Sequence, residues 1–490
     1  MPKILFTHSY FLYLDPKQWK AANAYPPLGT LYAAALLREN GYEVSLFDSM
    51  LAHSPQQIAP VLKSKQPDLL VIYDDGFNYL SKMCLTNMRE AAFHMIGLAK
   101  QQGCTIIISS SDSTDHYEKY LQQGADVVIL GEGEITLLAL VNSLNKQQAY
   151  SAIDGIAYQE NGQTIANKKR PVLRDLDLLP LPAWDLVDIA SYKKLWKKKH
   201  GYFSLNVVTT RGCTYKCNWC AKPLFGNRYH ARSPKNVVEE LQLLVHTFGA
   251  EHIWFCDDIF GLKPGWIQQF ADLVAEKKLQ FTFKIQSRAD LLIHGPTVEN
   301  LSKAGCQMVW LGAESGSQKI LDAMDKGITI QQIYESRKLL QAHGIQAAFF
   351  LQFGYPGEVK TDIQATIRMV LDLLPEDIGI SVTYPLPGTQ LYERVKAELK
   401  EKTNWQDSDE LSMLFHNTYP EGFYKDLQRY VHKLYRRQKS IQSLKKLVHS
   451  PFSLDRKQIR SAISAFYRIP AATLKDHSLD HLIIRYGGSF

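Results

Sequence analysis

Thr210-Arg211-Gly212-Cys213-Thr214-Tyr215-Lys216-Cys217-Asn218-Trp219-Cys220 directly follows a run of strand character, Phe203–Thr209. Three thiols within eight residues, on a loop leaving a strand, can converge on one metal centre. A structural zinc normally takes four protein ligands, and no fourth Cys or His is suitably placed nearby; His230 is ten residues on. A four-iron cluster also needs four ligands, but a small molecule can supply the last. Three cysteines with one open coordination position describe a catalytic centre more than a storage one.

Strand and helix alternate onward from this point. Strand candidates Phe203–Thr209, His252–Phe255, Phe281–Ile285, Met308–Gly312, Ala347–Phe353 and Ile378–Tyr384 are separated by helical stretches such as Asn236–His246, Ile267–Glu276, Gln332–Ala342 and Asp362–Leu373. Six β/α units are too few for a closed eight-fold barrel and predict an open partial barrel over 201–395. Upstream, Ile4–Phe6, Glu43–Phe47, Leu69–Tyr73, Thr105–Ser109 and Asp126–Leu130 alternate with helical patterns at Leu28–Asn40, Pro55–Lys65, Met88–Gln102, Tyr117–Gln122 and Ile135–Leu144. That rhythm predicts an α/β, doubly wound, Rossmann-like domain over 1–150, binding its ligand at the carboxyl ends of its strands. In the connecting 151–200, Gly155–Tyr158 and Gln163–Ala166 flank Asn161-Gly162 as a hairpin, Leu179-Pro180-Leu181-Pro182 marks a linker, and Lys193–Lys199 reads as a solvated run. The remainder, 396–490, has helical periodicity alone.

Cys-x3-Cys-x2-Cys, with the aromatic Trp219 before the last Cys, resembles the signature of the radical S-adenosylmethionine (SAM) enzymes. The resemblance implies that Cys213, Cys217 and Cys220 hold a [4Fe–4S] cluster whose fourth iron is chelated by the amino and carboxylate groups of SAM, with Trp219 close by. Reductive cleavage of the sulfonium then releases a 5′-deoxyadenosyl radical, so a small-molecule substrate and an external one-electron reductant of the flavodoxin or ferredoxin type are implied too. Later strand ends continue the likeness. Asp257 and Asp258, in Phe255-Cys256-Asp257-Asp258-Ile259-Phe260, stand where the family places groups near the methionyl amine, although the commoner pattern is Gly-Gly-Glu. Arg288, in Gln286-Ser287-Arg288-Ala289-Asp290, can pair bidentately with the SAM carboxylate or form a surface salt bridge with Asp290. Leu311-Gly312-Ala313-Glu314-Ser315-Gly316-Ser317 resembles the Gly-x-Glu-Ser-Gly-Ser segment of cobalamin-type and methylthiotransferase-type radical enzymes; its Glu314 and Ser315 are expected beside SAM, with Gly316 allowing close backbone approach. Gly354, in Phe353-Gly354-Tyr355-Pro356-Gly357-Glu358, is expected there as well, though glycine and proline suit any strand-to-helix loop.

Tyr25-Pro26-Pro27-Leu28-Gly29-Thr30 opening a helix, Gly41-Tyr42-Glu43-Val44, and Asp126-Val127-Val128-Ile129-Leu130-Gly131-Glu132-Gly133-Glu134 resemble the cobalamin-binding domain of one large branch of this family. That branch includes the anaerobic magnesium-protoporphyrin ester cyclase, hopanoid-modifying enzymes and class B methyltransferases. Pro27, Leu28, Gly29, Gly131, Glu132, Gly133 and Glu134 are the implied cobalamin contacts, the cofactor lying between the two domains with its upper face toward SAM. The Asp-x-His-x-x-Gly motif that supplies an axial histidine in many cobalamin proteins is absent; the nearest sequence is Asp48-Ser49-Met50-Leu51-Ala52-His53. Ser109-Ser110-Ser111-Asp112 stands where relatives often carry a Gly-Gly-rich turn. The Gly-Glu-Gly-Glu loop also suits a plain strand-to-helix turn with a carboxylate near the helix amino end.

Composition sets the outer bounds. The 490 residues are 45% hydrophobic and 21% charged, which excludes a disordered protein, and no apolar run approaches the roughly 18 residues of a membrane span. Met1-Pro2-Lys3-Ile4-Leu5-Phe6 enters a strand without the apolar stretch of a signal peptide, so a soluble, cytoplasmic protein is expected. The four cysteines outside the cluster, Cys84, Cys104, Cys256 and Cys306, read as packing residues. The net charge of +7 equals the local excess over 424–447, where Lys425, Arg429, Lys433, Arg436, Arg437, Lys439, Lys445 and Lys446 face one acid, Asp426. With Val431, Leu434 and Leu444 on the same segment this is a basic amphipathic helix. It can cover the barrel with a solvated face or give peripheral contact with an anionic membrane; no nucleic-acid-binding module accompanies it.

The sequence thus points to a radical SAM enzyme in which cobalamin assists methyl transfer to, or cyclisation or rearrangement of, an unactivated carbon in a lipid-like or polycyclic molecule. A methylthiotransferase would want a second set of amino-terminal cysteines, and Cys84 with Cys104 are too few. A radical enzyme whose first domain has lost cobalamin, and a non-catalytic iron–sulfur or zinc protein, stand as alternatives.

Overall fold

Every residue of Leu69–Tyr73 (β3) and most of Thr105–Ser109 (β4) are buried, so these runs fold as central strands covered on both faces. The computed structural model describes residues 1–77, 85–220, 224–402, 404–420, 422–449 and 479–486, with Ile459 and Ile463; Cys84 lies outside these. Lys3–Thr7 (β1), Glu43–Leu46 (β2) and Val127–Ile129 (β5) complete a parallel set, and Ile156–Glu160 (β6) and Gln163–Ala166 (β7) add an antiparallel edge. The order is β2-β1-β3-β4-β5-β6-β7, which puts the topological switch between β1 and β3. Asn161 and Gly162, at φ 51° and 75°, form the left-handed two-residue turn that their sequence predicts. The hairpin read as part of the connection is the far edge of this sheet, because β6 pairs with β5.

The second sheet is the expected open half-barrel: Ser204–Val207 (β8), His252–Phe255 (β11), Thr282–Ser287 (β12), Cys306–Glu314 (β13), Gln346–Phe353 (β14) and Asp377–Val382 (β15), parallel and in chain order. Between β8 and β11 a short antiparallel ribbon, Thr210–Arg211 (β9) with His230–Ala231 (β10), brackets the cysteine segment. Leu205, Val207, Ile253, Phe255, Phe283, Ile285 and Val309 point into the apolar core. With a period of two, Asn206, Trp254, Lys284, Gln286 and Trp310 fall on the opposite, luminal face.

The first sheet has a core on each face, one with Phe6, Val71 and Ile129 and the other with Leu70, Ile106 and Val128. The barrel core runs on across the joint through Tyr25, Leu28, Trp184, Trp196, Phe203 and Val237. Polar contacts lock the joint. Asn206 Nδ2 donates to the Pro26 carbonyl at 3.0 Å, Trp196 Nε1 to the Ala24 carbonyl at 2.7 Å, and Trp184 Nε1 to Glu240 Oε1 at 3.1 Å. At the carboxyl end, the helix Phe423–His449 buries Tyr424, Leu427, Val431 and Tyr435 and packs on β15 and on the helix Lys360–Leu373. Lys439 Nζ donates to the carbonyls of Pro375 (3.2 Å) and Glu376 (2.7 Å), while Arg436, Lys445 and Lys446 face solvent. The basic helix therefore covers the barrel. Among the described residues no helix is long and apolar enough to cross a membrane. Cys104, Cys256 and Cys306 are buried packing residues, as their sequence context predicts.

Candidate active site at the carboxyl ends of the barrel strands

Asp257, at the end of β11, holds the start of the cysteine loop. Its carboxylate accepts the N–H groups of Thr209 (2.7 Å) and Thr210 (2.8 Å) and the Thr209 hydroxyl (2.6 Å). Burial pushes its pKa up to about 6 against the pull of those donors. Asp257 was expected near the methionyl amine; its oxygens are instead engaged by the loop, and Asp258 faces solvent. Gly212 follows at φ 77°, where a Cβ would collide with the Arg228 carbonyl, so this turn requires glycine. Cys213 is buried, Cys217 and Cys220 are half-buried, and Cys220 N–H donates to the Cys217 carbonyl at 3.2 Å.

Asn218 ties the loop down between two of the cysteines. Its Nδ2 donates to the Ala323 carbonyl (2.8 Å) and Asp325 Oδ2 (2.7 Å), and its Oδ1 accepts from Tyr355 OH at 2.8 Å. Its backbone joins Met324 and Leu391. One buried amide thus connects the loop to the segments after β13, β14 and β15.

Arg288 lies flat over the Tyr215 ring at 3.6 Å, donates to Asp290 Oδ1 (2.9 Å) and the Lys326 carbonyl (2.8 Å), and brings Nη1 to 3.9 Å from Cys217 Sγ. The salt bridge with Asp290 that was the expected alternative is present, with Arg288 buried and Asp290 half-buried. Glu314, in the left-handed region at φ 56°, pairs with Lys326 Nζ at 2.8 Å, both buried. Burial works against the Lys326 charge, but Glu314 outweighs it and raises the pKa; Cys217 adds to the effect. Ser315 is bonded to Thr366 (3.1 Å), and a Cβ on Gly316 would strike the Ala365 carbonyl, so the close approach there is to a helix. Gly354 sits under Met413 and Tyr424.

On the facing domain, Glu132 and Glu134 of the Gly-Glu-Gly-Glu loop reach across to Arg211, two residues before Cys213, at 2.5 and 2.8 Å. All three are nearly excluded from water. Burial opposes the Arg211 charge, yet the two glutamates raise its pKa. The guanidinium also lies 5.2–5.8 Å from the rings of Tyr32, Phe77 and Phe225. Pro27 and Leu28 are buried at the helix start. A methyl group on Gly29 would stand 3.2 Å from the Asp74 carbonyl, and one on Gly133 2.6 Å from Tyr73 OH, so both glycines serve packing within the sheet. Gly131 is clear, with only the Leu224 carbonyl at 3.9 Å.

Among the described residues no three His, Cys, Asp or Glu side chains stand together as a finished metal-binding group. The donor set nonetheless fits an iron–sulfur cluster. Three soft ligands come from one loop, and the Arg288 guanidinium stands 3.9 Å from one of them, Cys217. For cobalamin, the carboxyl edge of the first sheet is polar: Ser9 is bonded to Asp74, Asp75 accepts the N–H groups of Gly29 and Phe77, and Ser110 caps a helix, while Gly131 leaves a clear approach. Among the described residues, His8 at this edge pairs with Asp48 (3.0 Å) and His116 with Asp112 (3.0 Å), while His53, beyond β2, packs edge-on against Tyr13 at 4.7 Å.

Residues 207–370 match the radical SAM superfamily and residues 19–141 match the B12 binding domain. The chain is a radical SAM enzyme with a B12-binding domain ahead of its barrel, and its cofactors are a [4Fe–4S] cluster, SAM and cobalamin. It is similar to an uncharacterized methyltransferase of Pyrococcus horikoshii, 29% identical over 388 residues, 78% of this chain and 81% of that protein. It is also similar to the anaerobic magnesium-protoporphyrin IX monomethyl ester cyclase of Synechocystis sp., 25% identical over 391 residues, 78% of this chain and 75% of that protein. In fold it matches the cobalamin-dependent SAM radical enzyme OxsB (TM-score 0.70, 17% identity, 99% of this chain and 75% of that one). The radical SAM methyltransferase TsrM of Kitasatospora setae matches with TM-score 0.66 at 16% identity, over 81% of this chain and 78% of that one.

Arg211, Asn218 and Lys326 were not singled out from sequence. Arg211 and Asn218 lie inside the quoted motif, but their partners are 77 to 137 residues away along the chain. Lys326 sits on an ordinary polar turn, and only the glycine opposite it, Gly312, hints that something long must pass.

Proposed function

We propose that this enzyme is a methyltransferase acting on an unactivated carbon of a lipid-like or polycyclic small molecule, with Cys213, Cys217 and Cys220 as the cluster ligands. The observation that carries the reading is the buried Glu132–Arg211–Glu134 bridge, which fastens the carboxyl edge of the B12-binding sheet to the root of the cysteine loop. Two cofactors that must act on one substrate then share a single crevice. The bound cofactors supply reductive cleavage of SAM and a transferable methyl group. The chain's own task is to hold the loop through Asp257 and Asn218, to set cations beside Cys217, and to close the lumen against water. The reductant is an external one-electron donor of the flavodoxin or ferredoxin type. The aromatic luminal residues Trp254, Trp310 and Phe350 support a polycyclic substrate, and the solvent-facing Arg436, Lys445 and Lys446 support peripheral contact with an anionic membrane.

The likeness to the Synechocystis cyclase favours cyclisation as the second reading. Anaerobic reconstitution should give about four irons per chain and 5′-deoxyadenosine on reduction. Product analysis with SAM labelled in its methyl group separates the readings: label in the product means transfer, and an unlabelled, more oxidised product means cyclisation. Undiminished 5′-deoxyadenosine formation by Cys217→Ala would sink the ligand assignment.

A further inference from the structure

Lys284 stands in the middle of β12, on the same face as Gln286 and Arg288, because side chains two apart share a face. Arg288 touches Cys217, so this face looks into the space below the cysteine loop. Four residues of strand put Lys284 about 13 Å below Arg288. Its strand neighbours in register are Trp254 on β11 and Met308 on β13. One step nearer the loop, Gln286 is opposite Trp310, whose ring stacks on Phe350 at 4.7 Å. A methyl group on Gly379 would meet both of those rings, at 3.2 and 3.4 Å, so glycine there leaves the two rings their space.

The wall from Lys284 to the loop is therefore aromatic, half-exposed to the lumen at Trp310 and Phe350, with one cation at its foot. Lys284 Nζ is 5.1 Å from the Trp254 ring centre and 5.4 Å from that of Tyr25, and no carboxylate pairs with it among the described residues. Burial without a partner pushes its pKa down to about 8. By contrast Lys326 has Glu314, and the buried arginines Arg211, Arg232 and Arg288 all have acids. A half-buried ammonium set against the π faces of Trp254 and Tyr25, beside the imidazole of His252 and without a carboxylate among the described residues, is costly to maintain for packing alone, and an anion arriving from the lumen would complete it.

We propose that Lys284 receives an anionic group, carboxylate or phosphate ester, of a flat aromatic substrate that lies along the lumen with its other end toward the cysteine loop. The proposal deepens the function given above and rests on the barrel lumen being its reaction chamber. The test is binding to the anaerobically reconstituted full chain, read by tryptophan fluorescence or calorimetry, with 2-naphthoate, 2-naphthyl phosphate and the neutral 2-naphthamide as probes. An ionic hydrogen bond should make one or both anions bind about tenfold or more tighter than the amide. Whichever anion is preferred identifies the group as carboxylate or phosphate. Lys284→Met and Lys284→Gln should level the three affinities, Lys284→Arg should keep the preference, and Trp310→Leu should weaken all three alike. Equal binding of anion and amide by the wild type, no binding of any probe, or a preference that survives Lys284→Met would overturn the proposal. The wild-type comparison needs no variant to fold. Incorporation of the SAM methyl label into product by the wild type, assayed without probe, tests the proposed function separately.

Discussion

Glu358 is buried four residues beyond Gly354, accepts that residue's N–H at 2.6 Å on one oxygen, and has no hydrogen-bond partner for the other among the described residues. Burial, opposed by that single donor, pushes its pKa up to about 8 from an ordinary 4.5. The folded protein thus keeps a proton that the unfolded chain gives up between those values. The associated stability is full below about 4.5 and is lost as pH rises through about 8, at about 1.4 kcal/mol per unit of separation. Glu358→Gln removes this titration. The melting midpoint of the wild type should therefore fall several degrees further than that of Glu358→Gln between about pH 5 and pH 8, and parallel curves would refute the burial argument. Asp257 shows the limit of reading acids from sequence. A carboxylate at a strand end suggests a ligand to a cationic substrate group, yet here the loop's own N–H groups reach it first.

At the scale of elements, the Gly-Glu-Gly-Glu turn and the β9–β10 ribbon are joined by charge in a place without water. Arg211→Met leaves Glu132 and Glu134 buried side by side, and loss of one partner from such a pair costs about 3–5 kcal/mol. Thermal unfolding should show that loss, and adding Glu132→Gln and Glu134→Gln should recover most of it. A variant as stable as the wild type would mean that the bridge is dispensable. Strands and helices were legible because their apolar residues repeat at two or at 3.6 along contiguous chain: β11 runs over His252–Phe255 as predicted, and the basic helix over 424–447 lies within Phe423–His449. The cysteine loop was legible for the same reason, its chemistry lying in one short stretch. What holds that loop was not. Asn218 acquires its role only when Ala323, Asp325 and Tyr355 arrive from distant strands. Gly29 and Gly133, read as cobalamin contacts, have Asp74 and Tyr73 of the first sheet close against them, since a glycine reports close approach without saying of what.

At the scale of the molecule, His8 and His116, at the carboxyl edge of the first sheet, already hold aspartates. Cob(II)alamin bound by this protein should consequently lack nitrogen superhyperfine splitting from a histidine in its electron paramagnetic resonance spectrum. A resolved histidine nitrogen would show that one of those pairs opens. The segment that crosses from the first half to the second has a further bearing. The Tyr25 ring lies tilted against Trp254 on the barrel wall at 4.7 Å, and the Pro26 carbonyl accepts from Asn206, 180 residues later in the chain. A laboratory search for new substrate range that diversified only the barrel strands would leave one wall of the chamber unsampled. Residues 25 and 26 belong in the same library, and grafting this barrel behind another protein's amino-terminal half would transplant an incomplete chamber.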